Sequence, residues 1–419
     1  MTMATAKAAA PFRVGEWLPS DSQFLGEWLD DLIERVEAQG DVPLLPVVAD
    51  FRRLIEDDPE VYMLFTFMLT QVTRKHTPTG DPQVKTVEQM LKLFNHIMTH
   101  APEFNESGLV GFPINAILDW AMGTHAGFAA FLNDKVNAQF KKMLNEWGRF
   151  LKSPDSTSVL NTSEHGWFGP HAKKKMPKFA EEFVCDPSQP HYGFTSWDDF
   201  FTRRFREGVR PVADPADQDV IVNACESAPY RLSTGVRRHD DFWVKGQPYS
   251  LAHMLANDPL VDEFAGGTVY QAFLSAFSYH RWHSPVDGRV VKAYVQDGTY
   301  YSETPAEGFD PAAPNDSQGY ITEVATRAMI FIEADNPEIG LMCFLPVGMA
   351  EVSTCEITVY EGQRVRKGDQ LGMFHFGGST HCLIFRPQTN IRFDFHGQRP
   401  SLHAKNIFVN SAIGRVVRS

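Results

Sequence analysis

The period of the apolar residues changes once along the chain, near residue 195, and that change limits the folds open to it. Before it, apolar side chains recur every three or four positions, the spacing of one helix face. Phe24, Trp28, Leu32 and Val36 follow it, with Asp30, Asp31 and Glu34 between them. Val47 to Ile55 and Val61 to Val72 continue the pattern, and Val87, Met90, Leu91, Phe94 and Ile97 fall on one side. The longest predicted helix runs from Ala126 to Leu151. Its Phe, Met and Trp residues read as helix-packing core. After residue 195, short β-rich runs punctuated by Gly, Pro and Asp replace this pattern. They are 220–222, 268–272, 289–295, 328–333, 341–347 and 356–360. Helices followed by a run of strands predict an α+β chain with a mainly antiparallel sheet.

The expected organisation is a flexible N-terminus at 1–20, a helical domain at 21–153, a connector at 154–195 and a catalytic domain at 196–419. The connector is rich in Ser, Pro, Gly, Lys and His, with Trp167 and Phe168 pinning it down. A long loop is predicted at 296–320, where Tyr300 and Tyr301 offer aromatic contacts and Gly308 a hinge; loops of that length usually serve function. Glu361 to Gly372 reads as a β-hairpin bracketed by Gly-containing turns.

The net charge of −13 argues against a nucleic-acid surface. No apolar run approaches the roughly 18 residues of a membrane span. Five scattered cysteines form no CxxC pair, so a reducing, cytoplasmic setting is the simplest expectation. No metal is expected, because His280 and His283 lack further ligands at suitable spacing.

Chemistry concentrates in four runs. Met373-Phe374-His375-Phe376 leads as a strand into Gly377-Gly378-Ser379-Thr380. A serine behind two glycines sits on a backbone that can bend and be approached closely. Tyr279-His280-Arg281-Trp282-His283-Ser284-Pro285 supplies two imidazoles. The others are Phe200 to Pro211 and Lys245 to Leu251. In this order and spacing they resemble the phosphatidylserine decarboxylase family, from about Gly193 to about Leu383. Further similarity to a fungal branch that acts on tryptophan reaches into the helical region, at Thr124 to Phe128 and Trp147 to Leu151.

The resemblance implies a self-processing pyruvoyl enzyme. Ser379 would attack the carbonyl of Gly378, the chain would open between them, and the new terminus would become a covalent pyruvoyl group. That group would form a Schiff base with a substrate amine and draw electrons as CO2 leaves. The resemblance makes His283 the base for Ser379, with Glu226 orienting it in the manner of a Ser-His-acid triad. Lipid-decarboxylating relatives carry Asp at the position of Glu226. His280, three residues from His283 and so on the other face of a strand, is expected to serve decarboxylation. Phe374 and Phe376 alternate with His375, so both rings are expected on one face, lining an aromatic pocket. The implied substrate is a free aromatic L-amino acid such as tryptophan; the alternative is phosphatidylserine, giving phosphatidylethanolamine. The two cleaved chains would stay associated. A biotinyl-type carrier lacks its tip lysine, and a serine hydrolase would need a Gly-x-Ser-x-Gly elbow that is absent.

Overall fold

The structure, a computed structural model, describes residues 22–72, 83–104, 112–240, 248–275, 277–304, 317–351 and 354–418. The expected flexible terminus at 1–20 and most of the Ser302–Ser317 stretch, with Gly308, lie outside these residues.

Seven helices come first: α1 Ser22–Ala38, α2 Pro46–Asp57, α3 Pro59–Val72, α4 Val87–Ile97, α5 Pro113–Met122, α6 His125–Leu132 and α7 Asp134–Leu151. Side-chain caps set several starts. Thr86 accepts the Gln89 amide and Thr124 the Gly127 amide, satisfying first-turn donors that have no partner inside the helix. The helix expected over 126–151 is two. Asn133 is extended, and its side chain accepts the amides of Lys135 and Val136, so it ends α6 and starts α7. The hydrophobic period continues through the break because both helices face the same core.

The connector is packed. Helices α8 Pro170–Lys175 and α9 Phe179–Glu182 carry it to α10 Trp197–Phe201. Trp167 and Phe168 are buried, and Phe168 stacks on Tyr192 with centroids 3.8 Å apart.

The described part of the remainder holds thirteen strands. They are β1 Val220–Val222, β2 Ala228–Thr234, β3 Thr268–Leu274, β4 Arg281–His283, β5 Gly288–Gln296, β6 Arg327–Ala334, β7 Leu341–Met349, β8 Cys355–Ile357, β9 Arg364–Val365, β10 Gln370–Phe374, β11 Gly378–Phe385, β12 Ile391–Phe393 and β13 Ala412–Val416. Two short helices, α11 Leu251–Met254 and α12 Gln318–Val324, interrupt them. The main sheet has the order β2-β3-β11-β7-β6-β5-β9, and its neighbours pair antiparallel. Two three-stranded sheets, β1-β13-β12 and β4-β10-β8, complete the set. This is the α+β architecture expected. The predicted hairpin at 361–372 is not one, because β9 pairs with β5 and β10 pairs with β4 and β8. Gly362 and Gly368, both at φ +87°, turn the chain from one sheet into the other.

Each face of the main sheet has its own core. Val269, Leu345, Val347, Cys382 and Ile384 join the helices in one cluster. Tyr270, Phe344, Leu383 and Phe385 join Trp282 and Phe374 in the other. The alternation of side chains along each strand produces this division.

Candidate active site

Ser379 is the second residue of β11, opposite Leu274 on β3 and Gly348 on β7. Its side chain is fully buried and its hydroxyl has no hydrogen-bond partner. The next residue is firmly held. Thr380 Oγ1 donates to the Ala272 carbonyl at 2.9 Å and accepts from Gln271 Nε2 at 3.0 Å, and Tyr249 O–H donates to Gln271 Oε1. Gly377 has φ +133°, which a side chain there would strain, and it turns the chain from β10 into β11.

His283 closes β4. Its Nδ1 lies 2.7 Å from the Gly368 carbonyl and its Nε2 2.8 Å from the Tyr279 hydroxyl. A carbonyl only accepts, so Nδ1 carries the proton and Nε2 accepts from Tyr279. Burial lowers the pKa of this imidazole, opposed by the Gly368 carbonyl.

Glu226 does not meet His283. Its carboxylate takes Arg210 Nη2 at 2.8 Å, Arg210 Nε at 3.1 Å and the Val409 amide at 2.7 Å. Burial raises its pKa, with Arg210 pulling the other way. The partner of His283 Nδ1 is instead the Gly368 carbonyl, supplied by the turn before β10. Glu226 and Tyr279 line one cavity of about 280 Å³, with Arg210, Ser275 and Ser278.

His280 is wholly buried and stacks on Phe201 with centroids 4.0 Å apart. Neither ring nitrogen has a partner in good hydrogen-bond geometry, and the Ser275 backbone acts weakly on the ring. Burial, then the Arg203 guanidinium, holds its pKa far below the usual histidine value, so the ring is neutral.

His375 bridges two carboxylates, Asp198 at 2.9 Å from Nδ1 and Glu356 at 2.7 Å from Nε2. Burial opposes its charge, yet the two acids raise its pKa overall. Phe374 and Phe376 do not share a face. Phe374 packs edge-on against Trp282 at 4.8 Å in one core. Phe376 enters the other, 4.6 Å from Trp147 and 4.7 Å from Trp197. Strand β10 ends at Phe374, so the two-residue alternation does not extend to Phe376. Tyr300 and Tyr301, expected as loop contacts, are buried, Tyr301 against Phe140 at 4.8 Å.

Sequence reasoning missed Tyr279 and His381. Tyr279 stands four residues before His283, in the same run, and its hydroxyl was the available signal. His381 follows Ser379 by two, so it lies on the same face of β11. Its Nε2 is 3.0 Å from Ser227 Oγ, and burial brings its pKa down to about 3.

Two family models match, both describing phosphatidylserine decarboxylase, over residues 45–176 and 197–408. An L-tryptophan decarboxylase of Psilocybe cyanescens is 39% identical over 91% of this chain and 90% of its own. The decarboxylase iboD of Amanita muscaria is 44% identical over 73% of this chain and 91% of its own. A phosphatidylserine decarboxylase proenzyme of Chlamydia felis is 30% identical over 59% of this chain and 80% of its own. The models span the helical region as well as the strands that carry Ser379 and His283, and the chain belongs to the phosphatidylserine decarboxylase family, a family of carboxy-lyases.

Proposed function

We propose that the chain is a zymogen that cuts itself between Gly378 and Ser379 and then decarboxylates a free aromatic L-amino acid, L-tryptophan. The Ser379 hydroxyl carries the first half of this reading. It is buried, unpaired and directly behind two glycines, so nothing opposes its turning onto the Gly378 carbonyl. These residues fit the formation of a pyruvoyl group.

Ser379 Oγ gives up its proton and attacks the Gly378 carbonyl carbon. The peptide C–N bond breaks and an ester forms. Loss of the Ser379 α-proton then expels the Gly378 carboxylate and leaves a dehydroalanine at the head of residues 379–419. Water replaces its nitrogen, which leaves as ammonia, and a pyruvoyl group remains. His283 is the base, through Nε2 and the Tyr279 hydroxyl bonded to it. Glu226 holds Arg210 and the Val409 amide on the wall that Tyr279 shares.

The pyruvoyl group supplies the electron sink that loss of CO2 requires. The chain supplies a dry surrounding. Phe112, Trp147, Trp197 and Phe201 gather around Phe376, three residues before Ser379. His280, stacked on Phe201 and neutral at rest, is a polar group at that wall and the candidate to take the proton that the substrate's ammonium group gives up and return it to Cα. The Psilocybe relative's name and its coverage of both chains support tryptophan as the substrate.

Two measurements test this. Intact-mass analysis should give two chains, the smaller being residues 379–419 without a free amino group. Decarboxylation of tryptophan, phenylalanine, tyrosine and phosphatidylserine, side by side, should rank tryptophan first. A full-length chain with normal activity refutes the processing step; preference for phosphatidylserine refutes the substrate.

A further inference from the structure

A carboxyl group with no part in the cleavage chemistry is buried near the proposed cleavage site. Glu351 lies two residues beyond Met349, the strand partner of Gly378 across β7 and β11. It is 2% exposed. One oxygen, Oε1, accepts the Asn115 amide in the first turn of α5 at 2.9 Å. The other, Oε2, has no donor in hydrogen-bond geometry, although the amides of Ile114 and of Glu351 itself also act on the carboxylate. A helix cap satisfies the first oxygen and leaves the second without an aligned donor. Burying such an atom without a donor is costly, so a retained one calls for a reason.

Its surroundings point to a ligand. Asn115 Oδ1 and the Tyr301 hydroxyl are also buried without partners. Glu351 is close enough to Tyr301 to raise the tyrosine's pKa. Phe112, which directly precedes α5, stacks on Phe376 with centroids 6.2 Å apart and planes 20° apart. Free acceptor oxygens therefore lie beside an aromatic wall that leads to Ser379. A ligand suited to this place is aromatic and brings its own N–H.

Reach is consistent with that. Glu351 is three residues along the chain from Gly348, which pairs with Ser379. Three residues span at most about 10 Å. The α-amine of an amino acid must stay at the reacting end, which leaves the ring nitrogen as the donor for a group one ring's length away.

We propose that Glu351 is a specificity-determining residue whose Oε2 accepts the indole N–H of tryptophan, with Phe112 and Phe376 against the ring. The proposal rests on the tryptophan reading above. Burial raises the Glu351 pKa to about 8, opposed by the amides of Asn115, of Glu351 itself and of Ile114, and a donated N–H would offset part of that desolvation. A site built to pair a substrate N–H penalises an analogue that lacks it, because its own buried acceptor is then left empty.

The test compares tryptophan with 3-(benzothiophen-3-yl)alanine, an isostere with sulfur in place of the N–H, on the wild-type enzyme and on Glu351→Gln. Glutamine can still accept the Asn115 amide through its own oxygen, and it offers the indole an NH2 donor in place of Oε2. Wild type should favour tryptophan over the isostere by about 10- to 100-fold in kcat/KM, the factor for one hydrogen bond to a charged acceptor. Glu351→Gln should lose that preference, through tryptophan alone, while still cutting itself. A second readout does not use the processed enzyme: calorimetric binding of tryptophan to uncut Ser379→Ala should weaken when Glu351→Gln is added. Equal losses for both substrates, or undiminished discrimination in the variant, overturn the proposal while tryptophan turnover stands. Absence of discrimination by wild type overturns it even if the variant fails to fold. No turnover of any aromatic amino acid would bring down the underlying reading as well.

Discussion

At the residue scale, Ser379, His283 and His280 could be proposed from the sequence because each sits in a short run whose neighbours repeat the family's order. Their partners could not. A backbone carbonyl such as that of Gly368 leaves no mark in a sequence, and it reaches His283 only because β10 pairs with β4. Glu226 was read as the orienting acid, yet Arg210, sixteen residues earlier in the chain, occupies it. Three substitutions separate these roles. His283→Ala should leave the precursor uncut on a gel, whereas His280→Ala should be cut and turn over poorly. Tyr279→Phe removes only the hydroxyl at His283 Nε2 and should slow cleavage by about 10-fold or more, the scale of one lost proton-transfer partner. Glu226→Ala should act differently. It leaves the guanidinium of Arg210, 9% exposed, with Glu182 at 3.3 Å as its remaining carboxylate, and should cost about 1–3 kcal/mol of stability, seen as a lower Tm. Normal melting with failed cleavage in Glu226→Ala would return that residue to the proton path.

At the element scale, most helices and strands were visible in their periods, and the errors share one cause. Helices α6 and α7 were merged because a cap acts through one side chain and barely disturbs the hydrophobic period. Strands β9 and β10 were joined because two Gly turns look alike whether they close a hairpin or pass the chain between sheets. Phe374 and Phe376 were given one face by an alternation that ends with β10. Helix α5 lies inside the region expected to be helical but was not singled out, its ten residues being buried all round and so showing no stripe. His375 shows what such positions do. It ties the end of β10 to α10 through Asp198 and to β8 through Glu356. Its folded pKa is raised, so its contribution is fully present below about pH 6.5, the unfolded value, and is lost as pH rises through the folded value. Tm should therefore fall on raising the pH above about 6.5. The buried acids Glu323 and Glu351, both raised to about 8 by desolvation, act in the same direction. His375→Gln should flatten the decline without removing it; an unchanged slope would show that His375 is not protonated in the fold.

At the scale of the whole molecule, helices and sheet share one core, which runs from Leu29 in α1 to Val409 near the end of the chain. The described helices include none long and apolar enough to cross a membrane. That joint core could not be foreseen, since a change of period at residue 195 reads equally well as two separate domains. It would govern the fate of the two chains left by the proposed cleavage. Strand β11, at the head of the small chain, is the third of seven strands and is paired along its length with β3 and β7, both on the large chain. Strand β13 pairs with β1 of the large chain. Between these, the Ile407 amide and carbonyl both bond to Ser227, and the Val409 amide bonds to Glu226. Cutting the Gly378–Ser379 bond releases one end of β11 and removes none of these contacts. The interface left behind resembles a domain interior, and interfaces of that kind are obligate. The cut protein should therefore run as a single species on native sizing, at any dilution used, and separate into two chains only in denaturant. On its own, residues 379–419 would present β11 with both edges unpaired, a state prone to aggregation. Recovery of a soluble small chain from native buffer, with the large chain still folded, would show that pairing across the cut does not hold the enzyme together.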